Sequence, residues 1–359
     1  MRSLRLVGLM LALLAQQSRL PGQEPVRAQD PALPELMTKE IVAAVKKGLD
    51  ALVKAQQPDG RLIANWEGGT YPAVMTSIAG MAWLASGSTP EEGPYARSVR
   101  KAMLYLLALA ESRGDGLIAG GDEIRCTYGH GWAMMFLANC YGMEPNVEYQ
   151  QRVRRALEKA IDLAARGQSR LGGWLYHPAG GGDEGSTTSC VLQGLRACRN
   201  VGIKVPKETI ERAVGYLKYT QNPDGGIAYS SVFRGASRPA ISAAGIACFY
   251  SAGLYDRGAG GQGGEAGMVD KLVRYVRNVT RNADESMDQY FYSHFYLAQT
   301  WYQRGAEWTE YYRKMSRKLL KTQAPEGTWL EKGVGPTFGT AMACIILQVP
   351  YGYLLIAER

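Results

Sequence analysis

The chain has 359 residues, a formal net charge of +8 and six cysteines. Its basic residues fall in clusters such as Arg152, Arg154 and Arg155, or Arg313, Lys314, Arg317 and Lys318. Their helical spacing marks solvated helix faces, and no recognised nucleic-acid module accompanies them, so nucleic acid is excluded as a partner. Length alone would suit two domains.

Residues 1–28 read as a secretory signal peptide. Arg2 and Arg5 precede an apolar run from Leu6 to Ala15, too short to span a bilayer. Val26-Arg27-Ala28 offers the cleavage site, with Ala15 a weaker competitor. Removing this segment takes four Arg (2, 5, 19 and 27) and Glu24, leaving +5. The expected location is secreted or periplasmic, with no transmembrane segment after cleavage. Residues 29–39 form a linker.

From residue 40 onward one unit recurs: an amphipathic helix, a glycine turn, then a small-residue helix that is apolar all round. The turn glycines are Gly60, Gly116, Gly172, Gly225 and Gly327, with Glu285 in the slot between the last two. Amphipathic helices are predicted at 41–56, 98–112, 150–166, 207–220, 268–279 and 308–321. Buried partners are predicted at 76–86, 130–141, 188–199, 240–251, 292–303 and 338–348. No strand pattern longer than the 172–176 stretch survives, so the fold class is all-α. One such pair cannot bury its own apolar face, and the phased repeat argues for a single closed assembly over 40–359. The glycine-rich stretch 258–267 is a flexible connection inside the array.

Five cysteines (Cys140, Cys190, Cys198, Cys248 and Cys344) fall on the buried helices and behave as small hydrophobes; Cys126 falls in a loop. Cys140 and Cys198 occupy equivalent positions of adjacent units, which leaves one bridge open.

These repeats resemble those of the squalene-cyclase and protein-prenyltransferase superfamily. The resemblance is carried by Gln57-Pro58-Asp59-Gly60, Gln221 to Gly226, Gln323 to Trp329, Gly172-Gly173-Trp174, and the helix starts Thr76-Ser77 and Thr188-Ser189. It implies an (α/α)6 toroid with inner helices ringing a central cavity. The superfamily's chemistry departs at its own positions. Cyclases carry D-x-D-D-T-A where this chain has Glu184-Gly185-Ser186-Thr187-Thr188-Ser189, and a hydroxyl is too weak an acid to protonate an alkene. Prenyltransferases hold zinc with D-x-C and a distant His. Cys190 and His294 fall in such places but Thr188 replaces the Asp, so neither metal nor cofactor is expected. A closer resemblance, to uncharacterised exported bacterial repeat proteins, rests on Tyr128-Gly129-His130-Gly131, Gly173 to Tyr176, the Asp183 loop and Pro350 to Leu354.

In such a toroid the residues just before the inner helices converge on one mouth, where helix N-termini favour an anion. The converging set is Trp66, Glu67, Tyr71, Asp122, Glu123, Arg125, Tyr128, His130, Trp174, Tyr176, Asp183, Glu184, Arg234, Arg238, Asp288, Tyr292 and His294. His130, Asp183 and Glu184 are the candidate catalytic groups, because imidazole and paired carboxylates can exchange protons near neutrality. Tyr128, Asp122, Glu123, Trp174, Tyr176, Arg238, Tyr292 and His294 are the candidate ligand contacts. The opposing reading makes the acids helix caps and has His130 hydrogen-bond a loop carbonyl. Three functions compete: a module for an apolar or isoprenoid-like small molecule, a carbohydrate-active toroid using paired carboxylates, and a non-catalytic extracytoplasmic scaffold. An aromatic cavity favours the first, an acidic cleft the second and a filled axis the third. The sequence leaves protein partners open.

Overall fold

The computed structural model describes residues 33–120, 123–178, 181–254, 264–282 and 289–355. The signal-peptide expectation therefore falls outside the described residues, as does most of the glycine-rich connection. The chain divides into two compact units, Met1–Glu35 and Leu36–Arg359. The second unit carries everything that follows.

Among the described residues, twelve α-helices alternate between outer and inner positions. The outer helices are α1 (Lys39–Ala55), α3 (Ala96–Arg113), α5 (Val147–Gly167), α7 (Lys207–Tyr219), α9 (Gly264–Asn282) and α11 (Trp308–Thr322). The inner ones are α2 (Pro72–Leu84), α4 (Cys126–Met143), α6 (Gly185–Asn200), α8 (Pro239–Ser251), α10 (Tyr290–Arg304) and α12 (Pro336–Gln348). The inner helices start up to four residues earlier than their apolar patterns indicate, so Cys126 is the first residue of α4 and not a loop residue. All six cysteines are free and buried, and the pair Cys140 and Cys198 is not bridged.

Outer helices form because one stripe is apolar. In α1, Ile41, Ala44, Val45, Leu49 and Leu52 are buried, and the Thr38 hydroxyl caps the start by accepting from the Ile41 amide. Inner helices are buried over most of their surface; all thirteen residues of α2 are buried. Each inner helix packs on its neighbours around a ring, and α12 closes it by packing on both α1 and α2.

The turns between outer and inner helices show how the ring is held. Gly225 has φ 92°, and a Cβ there would sit 2.6 Å from the Lys271 carbonyl of the next outer helix. Gly327 meets the Lys47 carbonyl of α1 in the same way, at 2.7 Å, across the closing seam. Four turns carry a glutamine whose amide bridges two carbonyls. Gln221 Nε2 donates to Gly225 and to Met268 of α9, at 2.9 and 3.0 Å. Gln56, Gln168 and Gln323 repeat this, and Gln323 reaches Ala44 of α1 at 2.8 Å. In the first unit the bridging residue is Gln56, one position before the Gln57 of the sequence motif.

A second recurring bond ties each turn to its inner helix. The amide two residues beyond the turn glycine donates to a side chain near the start of that helix. Leu62 donates to Thr76, Trp174 to Thr188, Ile227 to Ser242 and Trp329 to Thr340, at 2.8–3.0 Å. In the second unit Ile118 donates to His130 Nδ1 at 3.3 Å. His130 thus stands in a hydroxyl's structural slot.

Because the helices alternate in direction, every outer-to-inner connection lies at the end where inner helices begin. The only paired strands among the described residues, Asn65–Trp66 and Gly69–Thr70, form a small hairpin in the first of these connections. Glu67 and Gly68 at its tip both have positive φ, 47° and 80°, the geometry of a tight hairpin turn.

Candidate functional site

A cavity of about 820 Å3 opens at the N-terminal end of the inner helices, and all six contribute to its wall. It lies within the usual size range of small-molecule sites, about 300–1,000 Å3. It is a cup and not a pore. Trp132 of α4 meets Phe295 of α10 with ring centroids 5.1 Å apart, and below them Gln193 bonds Gln299 across the axis at 2.9 Å.

One wall is aromatic. Trp66 leans on Tyr71 (5.5 Å) and Tyr128 (6.2 Å), and Tyr128 stacks on Tyr176 at 6.1 Å. The Arg125 guanidinium lies between Trp66 and Tyr176, 4.8 and 4.4 Å from their centroids, and pairs with Glu67. The Tyr176 and Tyr229 hydroxyls bond each other, and Arg238 lies over the Tyr229 ring at 5.8 Å. Val74, Met75, Trp132, Ile241, Val334 and Phe338 add apolar wall, while Ser186, Arg234, Ser237 and Gln289 add polar groups. Burial raises the Tyr128, Tyr176 and Tyr292 hydroxyls above the ordinary phenol value, so all three are neutral donors at physiological pH. Glu67 is the only carboxylate lining the cavity among the described residues. Arg238 has no carboxylate partner among them.

The buried acids cap helices instead. Glu184 sits at the N-cap of α6, and its carboxylate accepts from the Ser186 and Thr187 amides, both their hydroxyls, and the Tyr128 hydroxyl at 3.0 Å. Glu123 accepts from the Ala73 amide at the start of α2, and Glu331 from the Phe291 amide at the start of α10. Every second inner helix thus has a buried carboxylate at its positive end, the arrangement that offsets both orphan amides and the helix dipole.

Of the expected site residues, Tyr128, Tyr176, Arg238 and Tyr292 line the cavity together, with Trp66, Glu67, Tyr71, Arg125 and Arg234. His130 does not reach it. Its Nδ1 accepts from Ile118, its Nε2 faces the Ala160 carbonyl of α5 at 3.1 Å, and it is buried. Burial pushes its pKa down to about 4. His294 points outward as well, with Nδ1 3.1 Å from the Tyr311 hydroxyl of α11, and burial lowers its pKa to about 3. Trp174 is buried with its indole N–H on the Ala164 carbonyl of α5. Asp183 accepts from the Ser231 amide and hydroxyl, at 2.8 and 2.6 Å, and anchors the loop before α8. Glu184 and Glu123 lie behind the wall as caps. Asp122 and Asp288 fall outside the described residues.

Tyr229, Trp132, Phe233 and Phe338 line the cavity although the sequence does not single them out, and so does Ser186, which the sequence marks only as a missing acid. One signal was present for Tyr229: it lies four residues after Gly225, as Tyr176 lies four after Gly172. Ser186 donates to Glu184 at 2.8 Å while bonding the Tyr128 hydroxyl, so it presents a hydroxyl where a cyclase presents an acid.

No protein-family model matches the chain, and no curated protein matches it. Solved structures do. A type II terpene cyclase from Scytonema, bound to geranylgeranyl dihydroxybenzoate, superposes with a TM-score of 0.56 at 16% identity, covering 88% of this chain and 98% of that one. An α-1,6-mannanase from Salegentibacter superposes with a TM-score of 0.62 at 9% identity, covering 87% and 99%. The fold is the α/α toroid. At these identities the likeness carries the toroid architecture and no activity. The toroid's own cavity has to carry the rest.

Proposed function

We propose that this toroid binds an apolar, isoprenoid-like small molecule in its central cavity and does not perform cyclase-type acid catalysis. The observation that supports this most is the character of the wall: aromatic and aliphatic side chains make up most of it, Ser186, Arg234, Ser237, Arg238 and Gln289 add polar groups on one side, and the lone carboxylate is paired to Arg125. Ring faces and aliphatic groups suit a hydrocarbon chain, while Arg238 and the tyrosine hydroxyls supply a few fixed polar contacts. Glycoside hydrolysis by paired carboxylates needs two acids across the substrate. Asp183 and Glu184, the pair best suited by sequence, are engaged by Ser231 and by the α6 N-terminus. Alkene protonation needs a strong acid in the wall, and at the start of α6 the group lining the cavity is the Ser186 hydroxyl.

Tryptophan fluorescence, with Trp66 and Trp132 in the wall, provides the test. Geranylgeraniol should quench it saturably, α-1,6-mannotriose should not, and Val74→Trp should weaken geranylgeraniol binding by about tenfold or more by filling the cavity. Saturable binding of the mannotriose alone would overturn the reading in favour of a glycan. Incubation with squalene should yield no hopanoid or sterol-like product.

We also propose that the protein is exported, on the strength of Arg2, Arg5 and the Leu6–Ala15 run. N-terminal sequencing should find a start between about residues 16 and 30. Intact Met1 protein recovered from cytosol would refute this.

A further inference from the structure

The cavity wall is rich in hydrogen-bond donors and poor in free acceptors. Its side-chain acceptors are the Glu67 carboxylate, the Gln289 amide oxygen and the hydroxyl oxygens, and Glu67 is taken by Arg125. Many donors are spent inside the protein: Ser186 on Glu184, Ser237 on Asp224, and Arg234 on the Tyr219 and Gln221 carbonyls. Those left over are neighbours. The Tyr176 and Tyr229 hydroxyls share one hydrogen bond, so one of their two protons stays free. Arg238 lies over the Tyr229 ring, and its guanidinium makes no hydrogen bond or ion pair among the described residues. It is also the N-cap of α8, which starts without a side-chain cap, so the first free amides of that helix add donors at the same place.

Charge at this place is balanced. Among the described groups that line the cavity or bond a lining residue, Arg125, Arg234 and Arg238 stand against Glu67, Glu184 and Asp224. Five more carboxylates at this end, Asp115, Glu123, Asp183, Glu326 and Glu331, are each bonded within the protein and strengthen the field against an anion. The polar end that fits is therefore a neutral acceptor. The surface beside it is made of electron-rich rings: Trp66, Tyr128 and Tyr176 in mutual contact, and Tyr229 under Arg238. A planar, electron-poor ring is the complement of such faces.

We infer that the ligand is an isoprenoid quinone, bound in its oxidised form with a ring carbonyl on Arg238 and the Tyr176–Tyr229 pair. This rests on the apolar-ligand reading and narrows it. The ring lies against the tyrosine faces, and the prenyl chain lies on the aliphatic wall of Val74, Met75 and Ile241. A para-quinone carries no charge and presents acceptors only, which matches a wall of surplus donors. Its hydroquinone turns both carbonyls into hydroxyls, whose protons meet no free carboxylate, and a donor left unmet on binding is costly. A diphosphate head fits less well, because it brings several negative charges to a rim without net positive charge. A prenyl alcohol has no ring to stack.

Calorimetric titration of the full chain tests this with a geranyl para-benzoquinone, fully substituted on its ring so that no thiol adds to it. The same compound held reduced under argon supplies the hydroquinone, and geranylgeraniol is titrated in parallel. The native chain should bind the quinone at least about tenfold more tightly than the hydroquinone. Arg238 is exposed, so Arg238→Leu leaves the fold intact, and it should bring the two affinities within about threefold of each other. Equal affinities in the native chain, or tighter binding of the hydroquinone, would overturn the proposal. So would an Arg238→Leu chain that keeps the full preference, which would put the ring elsewhere in the cavity. Saturable binding of geranylgeraniol without binding of the quinone would overturn the quinone class alone. The absence of both would overturn the apolar-ligand reading beneath it as well.

Discussion

Acid should weaken this fold through His130, and the size of the effect follows from where the ring sits. The Ile118 amide can only donate, so His130 Nδ1 must be bare and the proton must lie on Nε2, directed at the Ala160 carbonyl. A second proton would have to enter at Nδ1, against an N–H, in a buried site. Burial accordingly takes the pKa from the ordinary 6.5 to about 4. The unfolded chain binds a proton near 6.5 that folded His130 refuses until about 4, so the stabilisation is complete above the first value and is lost as pH falls towards the second. Between about pH 7 and pH 5, above the titration of most carboxylates, this one group should remove about 2 kcal/mol. Urea unfolding of the native chain and of His130→Gln at both pH values isolates it, since glutamine can accept from Ile118 and donate to Ala160 without titrating. The native chain should lose about 2 kcal/mol more than the variant over that interval. Parallel losses, or an imidazole that titrates near its ordinary value by NMR, would refute the assignment of His130 to a structural slot.

Three further outcomes follow from the turns, the caps and the seam. Gly225→Ala should cost at least about 2 kcal/mol by urea midpoint, because a Cβ meets the Lys271 carbonyl on a left-handed backbone, whereas Gly253→Ala, with open space around it, should cost about 1 kcal/mol. Glu184→Ala should destabilise by about 2 kcal/mol or more, since it strands two amides of α6 and three hydroxyls; an unchanged midpoint would make Glu184 free for chemistry. Ending the chain after Gly305 should abolish the cooperative transition, because it bares the faces of α1, α2 and α10 that α11 and α12 cover; a stable five-unit remainder would mean the seam is dispensable.

The sequence made the helices and their alternation legible because the two kinds of helix differ in pattern: Ile41, Ala44, Val45 and Leu49 form a stripe, while α2 has none. It also placed the mouth, since connection polarity follows from alternation. Individual side chains were harder to place. Nearness to the start of an inner helix does not fix nearness to the cavity, because residues there alternate between facing the axis and facing the outer layer. Tyr128 and His130, two positions apart on α4, illustrate the split: one stacks on Tyr176, the other binds Ile118. Aligning the units by function in the turn would have found this, because Thr76, Thr188, Ser242 and Thr340 are the counterparts of His130. The differing lengths of the connections hide that equivalence. Glu331, the third carboxylate cap, was missed for a similar reason: its target amide, Phe291, belongs to a neighbouring unit forty residues upstream.

The seam also dictates an order of events during synthesis. Gln323 meets Ala44 and Gly327 meets Lys47 across almost the whole chain, so the contacts that close the ring have the largest sequence separation available. Until α12 emerges, the faces of α1 and α2 that it will cover stay bare, although both helices were made among the first. Contacts of such long range form slowly because loop entropy must be overcome first, and a half-finished ring presents apolar surface throughout that time. The same closure that makes the finished protein cooperative therefore leaves its newborn form exposed to aggregation until the last helix arrives.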